Sequence, residues 1–136
     1  MAARITRTLY SSKNHKHIRI MGRNLNTPDV TAEIAIDHQT PVVHVKIQAV
    51  TYELNVFLNS DDVDTLLASR LPLAPDERAL CIGESCGAPA YWSRDDNGTM
   101  GVALGFDDTS WDFGAWMPTD TFDAIRALVA ELQPKL

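Results

Sequence analysis

Residues 89–106 read PAYWSRDDNGTMGVALGF. Asn97-Gly98 stands between two runs of strand formers, and both positions tolerate the positive φ that a two-residue hairpin turn needs. Counting back from that turn, Trp92 opposes Ala103 and Arg94 opposes Gly101. Successive side chains of a strand point to opposite faces, so this register decides which face each aromatic takes. In the next run, WDFGAWM (111–117), Gly114 and Trp116 share one face. Trp111, Phe113, Ala115 and Met117 share the other, which is expected to pack against a helix. Trp92 and Trp116 then lie together on the opposite face, over glycine and alanine. A solvated sheet face does not normally carry two tryptophans, so this face either packs another part of the chain or binds a partner. With their neighbours they make the candidate protein-binding set Trp92, Trp116, Arg94 and Asp112.

The period changes after residue 118. In TDTFDAIRALVAEL, Phe122, Ile125, Leu128, Val129 and Leu132 fall on one helical stripe, with Thr119 as the expected cap and Pro134 as the stop. Residues 60–71, SDDVDTLLASRL, repeat the pattern with Val63, Leu66, Leu67 and Leu71. Ser60 is the expected cap there, Asp61 and Asp62 suit the first turn, and Pro72 ends the helix. FLNSDDVDTLLASRL (57–71) lies over WMPTDTFDAIRALVA (116–130) at an offset of 59 residues. Each helix follows a run of strands. VTAEIAID (30–37), VVHVKIQ (42–48) and YELNVFL (52–58) alternate with period two, as half-buried strands do. ARITRTLY (3–10) and residues 17–21 read as two shorter strands. The expected fold is therefore α+β: antiparallel meanders with two amphipathic helices, arranged as two similar strand-helix lobes about a pseudo-twofold axis. The chain of 136 residues fits a single compact domain over 1–136, with PLAPDE (72–77) separating sub-lobes 1–74 and 75–136.

Charge is unevenly placed. Residues 1–23 hold six Lys/Arg and no carboxylate, while the rest holds 18 Asp/Glu against six Lys/Arg, a net −12. The first reading is that this basic segment lies against the chain's own acidic body; the alternative is an arm that touches phosphate or an acidic partner, with Lys13, His15, Lys16, His17, Arg19 and Arg23 as the candidate phosphate contacts. An overall charge of −6 argues against broad coating of nucleic acid. Residues 81–92, CIGESCGAPAYW, contain both cysteines at a gap of four. A zinc knuckle normally spaces its thiols by two, and no second cysteine pair exists to complete four ligands. Cys81 and Cys86 with His15 and His17 are the weak alternative. Ordinary thiols are the first reading, Cys81 packed inward and Cys86 in a turn, so neither metal nor cofactor is expected. Asp95-Asp96 and Asp107-Asp108 read as solvated turn acids.

No run of about 18 apolar residues occurs, so no membrane helix is expected. With no secretory pattern at the N-terminus, a reducing cytoplasmic setting is the expectation. No nucleophile elbow, phosphate loop or paired catalytic base is recognisable, which favours a non-enzyme. The leading expectation is a small acidic protein that works by protein contact, as an inhibitor, immunity or adaptor factor, with a protein partner or a second copy. The alternatives are a nucleic-acid or zinc-associated accessory protein using the basic segment, and an enzyme with a site between the lobes.

Overall fold

The computed structural model describes residues 4–11, 16–23, 27–105, 107 and 110–136, the first two stretches as backbone. The described strands are β1 (Arg4–Ser11), β2 (Lys16–Arg23), β3 (Asp29–Asp37), β4 (Thr40–Gln48), β5 (Glu53–Leu58), β6 (Leu80–Ser85), β7 (Ala88–Arg94), β8 (Thr99–Gly105) and β9 (Trp111–Pro118). Helix α1 (Ser60–Ala68) follows β5, and helix α2 (Asp120–Leu132) follows β9. All strands join one sheet in the order β1-β2-β9-β8-β7-β6-β5-β4-β3. From β3 to β9 each strand pairs antiparallel with the next in sequence. The β1–β2 hairpin extends the other side, with β2 parallel to β9.

The alternation in the sequence explains which face is buried. Val43, Val45, Ile47, Leu54, Val56, Leu58, Ile82, Ala90, Trp92, Met100, Val102, Ala115 and Met117 form one inner face, covered by Val63 and Leu66 of α1 and by Phe122, Ile125 and Val129 of α2. The sheet curls around this core. Tyr52, next to β5, meets Phe113 of β9 edge-on with ring centroids 6.2 Å apart. Four strand spacings separate β5 from β9, about 19 Å in a flat sheet, so only a curl brings these rings together. The curl also carries α2 against β3 at the far edge.

The α+β class, the antiparallel meander and both helices follow the sequence reading, but the arrangement of the two units does not. They lie in one sheet rather than facing each other as two. Along the order β3-β4-β5-β6-β7-β8-β9 the second unit follows the first in the same direction. A two-fold would reverse it. The two helices sit side by side on the inner face, where the Arg126 guanidinium donates to the Leu67 carbonyl at 2.8 Å. That carbonyl lies in the last turn of α1, which has no basic residue of its own, so α2 supplies the missing donor. The first cap also differs from expectation. It is Asn59, not Ser60, and its side chain and that of Asp62 exchange bonds of 2.8 and 3.0 Å with each other's backbone N–H. This capping box starts the helix one residue earlier. Thr119 occupies the cap position of α2 but makes no side-chain cap bond.

The hairpin of residues 89–106 holds the main correction. Arg94 pairs with Met100, and the Asp95 N–H donates to the Thr99 carbonyl at 2.9 Å. The loop is therefore Asp96-Asn97-Gly98, three residues rather than two. The Asp95 carboxylate accepts from the N–H groups of Asn97 (2.9 Å) and Thr99 (3.1 Å), and Gly98 closes the loop at φ +79°. Asp95 thus stabilises a wider loop than Asn-Gly alone requires. The slip of one residue sets Trp92 opposite Val102 and Ser93 opposite Gly101, and every side chain of β7 changes face.

Candidate functional site

Trp92, expected on the surface, is core: it is 1% exposed, it meets Phe122 at 6.1 Å, and its indole N–H donates to the Ile82 carbonyl at 2.8 Å. That carbonyl lies in a bulge. The β6–β7 register shifts between Cys81 and Glu84, and β6 pairs with β5 only through Phe57 and Glu84. A ladder interrupted in this way leaves backbone groups to be satisfied otherwise, and the indole does so. Gly83 makes the bulge possible, since a methyl there would stand 2.6 Å from Leu58 and 2.8 Å from the Phe57 carbonyl oxygen. Arg94 is also occupied structurally. Its Nε donates to the Leu71 carbonyl at 3.2 Å, while its backbone bonds Pro72 and Ala74.

Trp116 does lie on the outer face, half-buried, and it has neighbours that the sequence reading did not assign. The β8–β9 register shifts so that Leu104 opposes Phe113 while Gly105 opposes Trp111, which leaves Asp112 as an extra, exposed residue. This bulge moves Trp111 from the expected inner face to the outer one. A methyl on Gly114 would stand 2.9, 3.3 and 3.4 Å from three consecutive carbons of the Trp111 six-membered ring. A methyl on Gly101 would stand 2.9, 3.0 and 3.1 Å from the corresponding carbons of Trp116. Such similar distances arise only above a ring face, so each indole lies flat on a glycine. Ala103 is between them, paired with Tyr91 on one side and Gly114 on the other. Tyr91, Trp111 and Trp116 thus surround a bowl of about 180 Å³ with a floor of Gly101, Ala103 and Gly114, bounded on one side by Ala74 and Ala79. A tryptophan three residues before a glycine, beside a strand whose own outward positions are Gly101 and Ala103, was the available signal. The bulge hid it.

A second hollow, about 340 Å³, opens on the same face around Val42, Phe57, Gly83 and Pro89, with Asp37, Asp62 and Glu84 among its linings. Phe57 is 36% exposed and stacks on the His44 ring at 4.6 Å. His44 shares a 2.7 Å hydrogen bond with Asn55, whose amide N–H₂ donates to Glu53 at 2.9 Å. The Asn55 hydrogen bond, aided by Lys46, lowers the Glu53 pKa. Glu33 lies 3.6 Å from the other nitrogen of His44. These residues form a polar end to the outer face.

The remaining expected sites separate. Residues 81–92 form the β6–β7 hairpin, turning at Cys86-Gly87 with φ of +52° and +80°. Both thiols are free and exposed. Cys81 therefore does not pack inward; Ile82 takes that place, because Cys81 pairs with Tyr91 and shares its outer face. Among the described residues no group of three or more His, Cys, Asp or Glu is placed to hold a metal ion. Lys13 and His15 lie outside the described residues. Lys16, His17, Arg19 and Arg23 belong to β2, where Arg23 is in register with Trp116. Among the described residues no helix is long and apolar enough to cross a membrane. Comparison with protein-family models, curated proteins and solved structures finds no match.

Proposed function

We propose that this protein acts by contact with another protein, in the manner of an inhibitor, immunity or adaptor factor, and that the outer face of β7, β8 and β9 is the contact surface. The observation that carries this reading is the pair of indoles laid flat on Gly101 and Gly114, with Tyr91 across Ala103. Aromatics seated in this way lose little side-chain freedom on binding, and they gain most when a partner removes them from water. The small floor residues leave room for one inserted partner side chain. Trp92 is buried in the core and the half-buried Arg94 is engaged by the linker, so Trp116 becomes the residue to test. Affinity capture from the source cell and thermal melts distinguish the cases. Trp116→Ala should lose its captured partner, weakening binding by about 2 kcal/mol or more, while melting near the wild-type temperature. Trp92→Ala should cost about 3–5 kcal/mol of stability. A Trp116→Ala melt as low as that of Trp92→Ala, or unchanged capture, overturns this reading.

A second reading has one observation in its favour: the basic strand β2 runs directly beside β9. Aromatics flanked by cations suit single-stranded nucleic acid. Oligonucleotide quenching of tryptophan emission that weakens steeply with salt would support it.

A further inference from the structure

We infer that the partner presents an acidic, extended segment to this face, with one large apolar side chain seated in the aromatic bowl and its carboxylates on the β2 and β1 side; the inference rests on the outer face being the contact surface. The shape of the face limits the occupant. The sheet curls so that Tyr52 and Phe113 meet on its inner side, which makes the outer side convex. A second copy, or any partner with a flat or convex face, touches such a surface over a narrow strip, short of the roughly 800 Å² per partner of a standard interface. An extended segment follows the curve instead. The bowl, about 180 Å³ and lined by no charged residue, takes one apolar group of that segment between the flat indoles of Trp111 and Trp116.

Charge gives the segment its composition. Residues paired across a sheet share a face. Trp116 pairs with Gly101 on one side and with Arg23 on the other, and Arg23 pairs with Arg4. One row therefore reads Gly101, Trp116, Arg23, Arg4, from the bowl to the edge strand. β1 and β2 hold no carboxylate to offset these two cations. Beyond that end of the sheet, Asp95 accepts the N–H groups of Asn97 and Thr99, and Asp120 accepts from the Thr27 hydroxyl at 3.5 Å. At the Trp111 end the charges cancel by position, since Arg19 precedes Ile20 and the bulged Asp112 precedes Phe113, the partner of Ile20. Acidic residues of the segment are thus drawn to the Trp116 end. With strands about 4.8 Å apart, the row runs about 10 Å from Gly101 to Arg23 and about 14 Å to Arg4, which at about 3.3 Å per extended residue puts the carboxylates about three to five residues from the anchor. Toward β3 the same face carries Glu33, Asp37 and Glu84. A nucleic acid, charged at every phosphate, is repelled there, whereas a protein segment can carry acids on one side of its anchor alone.

Peptide selection on the full chain tests this. A displayed library of random peptides about 12 residues long should yield sequences with a large apolar residue and with Asp or Glu clustered about three to five residues to one side of it. The leading peptide, made as a synthetic probe, should lose affinity about thirtyfold or more on Trp116→Ala and about tenfold on Arg4→Glu/Arg23→Glu. Its binding should weaken as salt rises from about 0.01 M to about 1 M, where the Debye length falls from about 30 Å to about 3 Å. The same peptide with lysine in place of its acidic residues should bind Arg4→Glu/Arg23→Glu better than the wild type, which also shows that the variant is folded. Selected peptides without acidic enrichment, or binding indifferent to salt and to Arg4→Glu/Arg23→Glu, overturn the inference and leave the contact reading in place. So does a library that yields no peptide while Trp116→Ala still loses a captured protein. An oligothymidylate that displaces the peptide at about 0.15 M salt, or a wild-type dimer broken by Trp116→Ala, overturns it in favour of nucleic acid or of a second copy. Unchanged capture by Trp116→Ala removes the contact reading and this inference together.

Discussion

The Tyr52 hydroxyl is buried with no hydrogen-bond partner among the described residues, and burial pushes its pKa up to about 12. The neutral phenol is favoured in the fold. Since the folded pKa is the higher one, the stability linked to it is complete below about 10, the unfolded value. It is lost as pH rises from about 10 toward the folded value of about 12. Removing an unpaired buried hydroxyl also removes a desolvation penalty. Tyr52→Phe should therefore melt at the same temperature or higher, by up to about 1 kcal/mol in stability, and should lose part of the alkaline destabilisation between pH 10 and 12. A lower melt at neutral pH would show that the hydroxyl has a partner. Trp92 shows the opposite treatment of a buried polar group, since its indole N–H finds the carbonyl that the β6 bulge leaves open. No spacing in the sequence announces that pairing, because it joins residues on different strands through an irregularity in the ladder.

At the scale of elements, period and punctuation were enough to locate both helices and the strands from β3 onward except β6 (Leu80–Ser85), whose residues read as a turn between linker and hairpin. The other errors are one-residue errors at turns and bulges, and their consequences are large because strand faces alternate. Asp95 widens the β7–β8 loop and sends Trp92 inward; the extra residue at Asp112 sends Trp111 outward. The glycines opposite are part of the same arrangement. At Gly101 an added methyl would lie 2.9 Å from the Trp116 ring, well inside ordinary contact, so the ring must lift. Gly101→Ala should cost about 1–3 kcal/mol of stability and shift tryptophan emission toward that of a solvated indole. A variant with the wild-type melt and spectrum would mean that Trp116 does not rest on Gly101 in solution.

The whole molecule is one sheet with an uneven seam. β3 and β4 share nine paired residues and β8 and β9 share seven, but β5 and β6 meet at one. Cohesion across that seam comes from side chains and helices: Ile82 in the common core, the Trp92 bond, α1 against both β5 and β6, and Arg126 tying α2 to α1. Backbone protection follows local pairing. Hydrogen exchange should accordingly be faster at residues 53–56 on the β6-facing side and at residues 80–82 than in the interior of β4 or β8. Protection across β5–β6 equal to that across β8–β9 would show a closed ladder instead.

By itself, the sequence determined the class, the two helices, most strands and the apolar set that makes the core. These depend on periodicity and on local signals such as the acids at the start of α1, which act within a few residues; α1 ends at Ala68, before the expected stop at Pro72. Only the tertiary structure decided the single curled sheet, the register at the two bulges and hence the aromatic bowl of Tyr91, Trp111 and Trp116. Register in a sheet is settled between strands, where a carboxylate such as that of Asp95 or a bulged residue such as Asp112 adds one position to one partner alone. A pattern with period two retains its apolar count after such a step and reverses its faces.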